Sequence, residues 1–143
     1  MNVITDPVGV ANALRPTLLR LSRNLQREAS ELGVTPMQVS VLGHIARCPW
    51  IGIGALAKLE GVSRPRMSLV VQKLVEQGLV TTVRGADRRR VGLHVTRDAT
   101  NVLRSVRSRR TAWLSSRLQR LDPDELEAIE AAIPFLVKLV EDA

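Results

Sequence analysis

The sequence predicts a mainly α-helical fold with one small β-hairpin, and three observations carry that reading. Asp6, Thr35, Ser63 and Thr96 each stand before a stretch whose apolar residues recur every three or four positions. Only residues 79–84 and 91–95 are rich in β-branched residues as strands are. Trp50, Trp113 and Phe135 are the only aromatics, so Leu, Val, Ile and Ala must build the core, which suits helix on helix. At 143 residues, 45% hydrophobic and 24% charged, the chain has the composition of one ordinary globular domain.

In the first helix Asp6 is the N-cap and Pro7 the first helical residue. Ala11, Leu14, Leu18, Leu21, Leu25 and Leu32 follow at alternating spacings of three and four, the seam of a helix that packs on another. Pro16 predicts a kink or a frayed first turn, and Gly33 a stop. The second helix is capped by Thr35 and opened by Pro36, with Val39, Leu42, Ile45 and Ala46 as its buried stripe and Pro49 beyond its end. Ile51-Gly52-Ile53 reads as a short strand, and Gly54 to Glu60 as a short helix with Leu56 and Leu59 inward.

Gly61-Val62-Ser63 is a tight turn before a helix capped by Ser63, with Met67, Val70, Val71, Leu74 and Val75 inward and Gly78 at its end. Two helices joined by a short glycine-containing turn are a helix-turn-helix. Two strands follow, around a basic tip, Gly85-Ala86-Asp87-Arg88-Arg89-Arg90. A hairpin directly after a helix-turn-helix is a wing. Thr96 caps a helix reaching about Leu121, with Ala99, Val102, Leu103, Val106, Trp113, Leu114 and Leu118 on one side and Arg104, Arg107, Arg109, Arg110, Arg117 and Arg120 on the other. Pro123 opens the last helix, whose Asp124 and Glu125 suit the positive end of the helix dipole. Leu126, Ile129, Ile133, Leu136, Val137 and Val140 are expected to face inward, and Pro134 to kink the helix.

Charge is segregated. Residues 84–121 carry 11 arginines against two aspartates, and residues 122–143 one lysine against seven acidic residues, within a net charge of +7. A basic middle beside an acidic end fits an electrostatic footprint for nucleic acid, although a solvated arginine-rich helix has the same count.

At this point the residues carry a family likeness. The order of elements resembles the MarR family of bacterial transcriptional regulators, as does the run Asp87-Arg88-Arg89-Arg90-Val91-Gly92-Leu93-His94-Val95-Thr96. That run is similar to the family's wing pattern, D-x-R followed five residues later by L-T, with Val95 in place of Leu. Ser63-Arg64-Pro65 and the exit Gln77-Gly78-Leu79-Val80 resemble its recognition helix. Leu69 stands where many members carry Arg or another polar residue, and Ala99 where Gly is frequent. The resemblance covers nearly the whole chain. It implies a winged helix-turn-helix over 35–96 for DNA and dimerisation helices over 6–34 and 97–143, all within one domain spanning 1–143.

The inward stripe of the reader helix leaves Ser63, Arg64, Pro65, Arg66, Ser68, Leu69, Gln72 and Lys73 as the DNA-facing candidates. Arg66 is suited to a bidentate contact with guanine O6 and N7, and Leu69 to a thymine methyl. Lys73 and Ser68 suit phosphates. In the wing the candidates are Asp87, Arg88, Arg89 and Arg90. The resemblance implies that the tip enters the minor groove. Arg89 is the candidate insertion there, because narrow A·T-rich grooves attract arginine, and Asp87 is its brace. Leu14, Leu18, Leu21, Leu126, Ile129, Ile133 and Leu136 are the expected dimerisation residues. Expected partners are double-stranded DNA and a second copy of the chain, and the resemblance implies a small-molecule effector bound between the dimer helices and the DNA-binding lobe. Trp50, Trp113, Arg15 and Met37 are candidates to line that pocket.

Other chemistry finds no constellation. His44 and His94 lie far apart with no acid or cysteine cluster, so no metal is expected, and Gly52-x-Gly54 lacks the rest of a phosphate-loop fingerprint. No nucleophile with base and orienter can be assembled, so neither an enzyme nor a cofactor is expected. Cys48 reads as a buried, inert thiol rather than a redox sensor. One cysteine, no leader-like start and no run near the ~20 apolar residues of a membrane span point to the cytoplasm, away from membranes. The function expected is a sequence-specific regulator, a repressor on a pseudo-palindromic operator. The alternative is a basic RNA-binding or architectural protein without sequence preference.

Overall fold

The computed structural model describes residues 5–87 and 91–141. The elements are α1 (Pro7–Ser30), α2 (Pro36–Arg47), α3 (Ile53–Glu60), α4 (Arg64–Glu76), β1 (Val80–Arg84), β2 (Val91–Val95), α5 (Arg97–Leu118) and α6 (Pro123–Lys138). The chain has the mainly helical winged helix-turn-helix fold.

Helix starts are set locally. Asp6 accepts from the Val8 and Gly9 amides, and Thr35 from the Gln38 amide. Ser63 accepts from Arg66 and Thr96 from Ala99. Asp122, with Glu125, forms a reciprocal capping box at the start of α6. α1 runs through Pro16 and α6 through Pro134 as single helices.

The core lies between α2, α3, α4, the base of the hairpin and the first half of α5. Leu42, Ile45, Leu56, Met67, Leu74, Val80 and Val106 are fully buried there. Burial of each large side chain contributes ~1.5–3 kcal/mol relative to leaving it in water. α1 is held to α5 by the Arg110 Nε–H donating to the Leu25 carbonyl oxygen at 3.1 Å and by the Arg109–Glu28 ion pair at 3.2 Å. No helix among the described residues is long and apolar enough to cross a membrane.

Several expectations are corrected. Ile51–Ile53 is not a strand: Ile53 opens α3 behind the extended Gly52 cap, so the stretch is a turn and a helix start. Leu59, at 58% exposure, Val75 and Ala46 fall outside the buried stripes because they sit at the edges of short helices that no other element covers. Cys48 is exposed, since it is the C-cap residue where α2 gives way to a loop. α6 buries none of its residues in the single chain. Its apolar stripe therefore does not face inward within this chain: Leu126, Ile129, Ile133, Leu136, Val137 and Val140 are all exposed. Leu18 and Leu21 on α1 are exposed too, while Leu14 is half-buried.

Candidate nucleic-acid interface

The turn between α3 and α4 is built by Gly61. Its φ of 66° is a left-handed conformation that glycine adopts without a Cβ clash. It lets the Val62 amide reach back to the Ala57 carbonyl oxygen at 3.0 Å and closes α3. Ser63 then caps α4.

Met67, Val71 and Leu74 bury one side of α4 at helical spacing. The opposite side carries Arg64, Pro65, Arg66, Ser68, Leu69, Gln72 and Lys73, all exposed as the sequence predicts. Leu69, at 66% exposure, is a large aliphatic group in the middle of a basic and polar surface. The Arg64 side chain lies over the first turn of α3. A Cβ at Gly54 would fall 2.9 Å from Arg64 Cζ and Nε, so the glycine makes room for it.

The strands pair antiparallel from Val80↔Val95 to Arg84↔Val91. β1 is rooted in the core only through Val80 at its base, the rest of it being exposed, whereas β2 is buried in mid-strand at Gly92 and Leu93. Asp87 is exposed at the start of the tip, whereas Arg88, Arg89 and Arg90 lie outside the described residues.

Two polar junctions tie α4 to its surroundings. The Thr96 Oγ1–H donates to the Gly78 carbonyl oxygen at 2.8 Å, and the Thr96 amide to the Leu79 carbonyl oxygen at 3.1 Å. The buried Gln38 donates through Nε2 to Gln77 Oε1, at the α4 C-cap, at 2.9 Å. The exit of the wing is thereby fixed to the end of α4, and the end of α4 to α2.

Sequence reasoning missed Trp50 as part of this region. Cys48-Pro49-Trp50-Ile51 is a β-turn closed by the Ile51 amide on the Cys48 carbonyl oxygen at 3.2 Å. Trp50 has φ 73° and is the one non-glycine residue with positive φ among the described residues. Holding a bulky residue there costs ~1–3 kcal/mol. Its indole lies against β2, where a Cβ at Gly92 would come within 2.6 Å of Trp50 Cδ2 and Cζ3. It also meets His94 edge-on, with ring centroids 5.2 Å apart. The signal was an isolated glycine inside a strand, which marks close approach by another group.

A cleft of about 940 Å³ between α1, α2 and α5 is lined by Leu18, Leu21, Leu25, Arg47, Arg107 and Arg110 among others. Trp50, Trp113, Arg15 and Met37 do not line it. They face elsewhere, Trp50 because it covers the wing and Trp113 because it stacks with Arg117 at 5.2 Å.

Residues 32–90, the stretch containing α2 to β1, match the MarR family. Over 135 residues, 94% of each chain, the protein is 29% identical to an uncharacterized HTH-type transcriptional regulator of Mycobacterium bovis. The fold matches that of Rv1404 from Mycobacterium tuberculosis with a TM-score of 0.82, at 18% identity and 99% coverage of both chains. It also matches a mutant of MepR from S. aureus bound to an oligodeoxyribonucleotide, with a TM-score of 0.70, at 16% identity over 92% of this chain and 97% of that one. With the capped helix-turn-helix, the wing and these likenesses together, the chain is similar to the MarR family over residues 32–90 and to HTH-type transcriptional regulators over 94% of its length.

Proposed function

We propose that the protein is a homodimeric repressor that binds a pseudo-palindromic operator, α4 in the major groove and the wing in the adjacent minor groove. The observation that carries this reading is the exposed face of α4, with Arg64, Arg66, Ser68, Leu69, Gln72 and Lys73 on the helix whose end the Thr96–Gly78 bond ties to the exit of the hairpin. The major groove admits a helix and distinguishes all four base pairs by their edges. Arg66 reads guanine, Leu69 a thymine methyl, and Lys73 and Ser68 hold phosphates. Arg88 and Arg90 meet phosphates on either side of Arg89, which enters the minor groove braced by Asp87.

Dimerisation through 6–34 and 97–143 is supported by the uncovered stripe of α6 and by the exposed Leu18 and Leu21 of α1. A two-fold dimer places its reading helices about one DNA turn, ~10 bp, apart. The lobe that reads DNA is 35–96. Release by a small molecule is supported by the cleft between α1, α2 and α5, where Arg47, Arg107 and Arg110 stand beside leucines. That lining suits an anionic, partly apolar ligand.

The test is selection of duplexes from a random-sequence pool at fixed physiological salt, because phosphate contacts alone make affinity fall steeply with ionic strength. Enrichment of a two-fold sequence bound at least ~10³-fold more tightly than its shuffled version is the expected result. Equal binding to selected and shuffled duplexes overturns the reading and favours the architectural alternative.

A further inference from the structure

The turn position held by Trp50 favours glycine, yet it carries the largest side chain available, in a left-handed conformation. A strained bulky residue persists only where its surroundings hold it, and here those surroundings are the hairpin. The indole lies on the Gly92 backbone in mid-strand, meets the His94 ring edge-on, and borders Gly85, Ala86 and Asp87 where the tip begins. One side chain from the α2–α3 loop therefore lies along β2 from Gly92 to His94 and shares a small cleft with the residues where the tip begins. Beyond Val80, β1 is exposed throughout, so its own residues hold that strand to the body only at the root.

We propose that Trp50 is a positioning residue for DNA recognition, a strut that sets the angle at which the wing leaves the body and so where its tip meets the minor groove. Gly92 is its seat: any Cβ there would push the indole away. The inference rests on the reading that the wing enters the minor groove. It adds that this geometry is imposed from outside the hairpin, by a residue that touches no DNA.

Trp50→Gly separates the strut from the fold, because glycine is the residue the turn prefers and only the ring is removed. Gly92→Ala leaves the tryptophan in place and displaces it. Each variant, Trp50→Phe and the wild type are bound at saturation to the selected operator and probed with dimethyl sulfate. The reagent methylates guanine N7 in the major groove and adenine N3 in the minor groove, so one reaction reports both contacts. Expected for Trp50→Gly and Gly92→Ala is intact guanine-N7 protection, loss of adenine-N3 protection at the operator flanks, and affinity lower by on the order of ten-fold, the scale of one specific contact. Trp50→Phe, which keeps a ring on Gly92, retains most of the adenine-N3 protection. Adenine-N3 protection that persists in Trp50→Gly overturns the strut and leaves the wing reading standing. No such protection by the wild type overturns the wing reading and the strut with it. Equal loss of both protections in a Trp50→Gly protein with native thermal stability also overturns the strut, since the ring would then support the whole lobe.

Discussion

The Thr96 hydroxyl donates to the carbonyl oxygen of Gly78 at 2.8 Å while accepting the Ala99 amide at 3.2 Å. One oxygen therefore joins the end of α4, the exit of the hairpin and the start of α5. Gly78, at φ 72°, turns its carbonyl into this position in a conformation that a side chain would resist. Thr96→Val keeps the shape and removes both bonds. The expected loss is ~1–2 kcal/mol of unfolding free energy, the scale of an N-cap plus a partly buried hydrogen bond. Urea denaturation measures it, and Thr96→Ser recovers most of it. An unchanged midpoint would show that the junction contributes nothing.

Gln38 is the buried polar side chain of the core, and both ends of its amide are used. Oε1 accepts the Thr35 amide at 3.0 Å, and Nε2 donates to Gln77 Oε1 at 2.9 Å. Gln38→Ala leaves the Thr35 amide without this acceptor, so a loss of ~1–3 kcal/mol is expected. Gln77→Ala leaves the buried Gln38 Nε2 without its acceptor but spares the bond to Thr35, so it is expected to cost less. Comparable losses in the two variants would contradict the assignment of Gln38 as the anchoring side.

How much of this was legible in the sequence follows from how local each signal is. Asp6, Thr35, Ser63 and Thr96 act on amides two or three residues away, so their roles could be read directly. The inward stripe of α4 was legible at Met67, Val71 and Leu74 but not at Val75, because periodicity gives a direction and not the width of the surface that covers it. The α6 stripe was read correctly as apolar and wrongly as facing inward in this chain, since hydrophobic spacing does not say whether the covering surface belongs to the same molecule. Trp50 was missed because its partners, Gly92 and His94, lie more than forty residues along the chain, and the isolated glycine in β2 marks a close approach without saying which group makes it. Cys48 looked core-like by residue type alone, but its place at the end of α2 exposes it.

Lys73 and Arg66 lie on the same exposed face of α4 but are assigned different work. A phosphate contact binds every sequence, and its loss weakens specific and shuffled duplexes alike while lowering the salt slope by about one. A guanine contact is lost only from the operator. Lys73→Ala is therefore expected to shift both affinities together. Arg66→Ala is expected to cost ~1–3 kcal/mol on the operator and to relax preference at one base pair. Salt-dependent titrations of both duplexes separate the two. Equal behaviour of the variants would remove the assignment.

The uncovered stripe on α6 predicts the assembly. Ile133 is 51% exposed in the single chain, although it lies between Ile129 and Leu136 on one apolar surface. Ile133→Glu places a charge in that surface, which disfavours burial against a second copy unless the charge is paired. Sedimentation is expected to give twice the chain mass for the wild type and the single mass for the variant. The variant is also expected to bind isolated half-sites at near wild-type strength while losing its advantage on the full operator. A wild type that sediments as a single chain would contradict the dimer.

Leu69 offers the sharpest test of base reading, because its proposed partner is a single methyl group. At 66% exposure in the free protein it has apolar surface left to bury, and the polar residues around it have no use for a thymine methyl. Replacing the contacted thymine by deoxyuridine removes that methyl and leaves the base pair and the backbone unchanged. The wild type is expected to lose ~0.8 kcal/mol, the value of one buried methylene-sized group, at that position alone. Leu69→Ala is expected to bind the thymine operator more weakly and to respond less to the change, so the two losses are not additive, as contact between the groups requires. Scanning deoxyuridine through every thymine of the operator finds the position. If no substitution couples to Leu69, this side chain faces solvent or sugar and the specificity of α4 rests on Arg66 and Gln72.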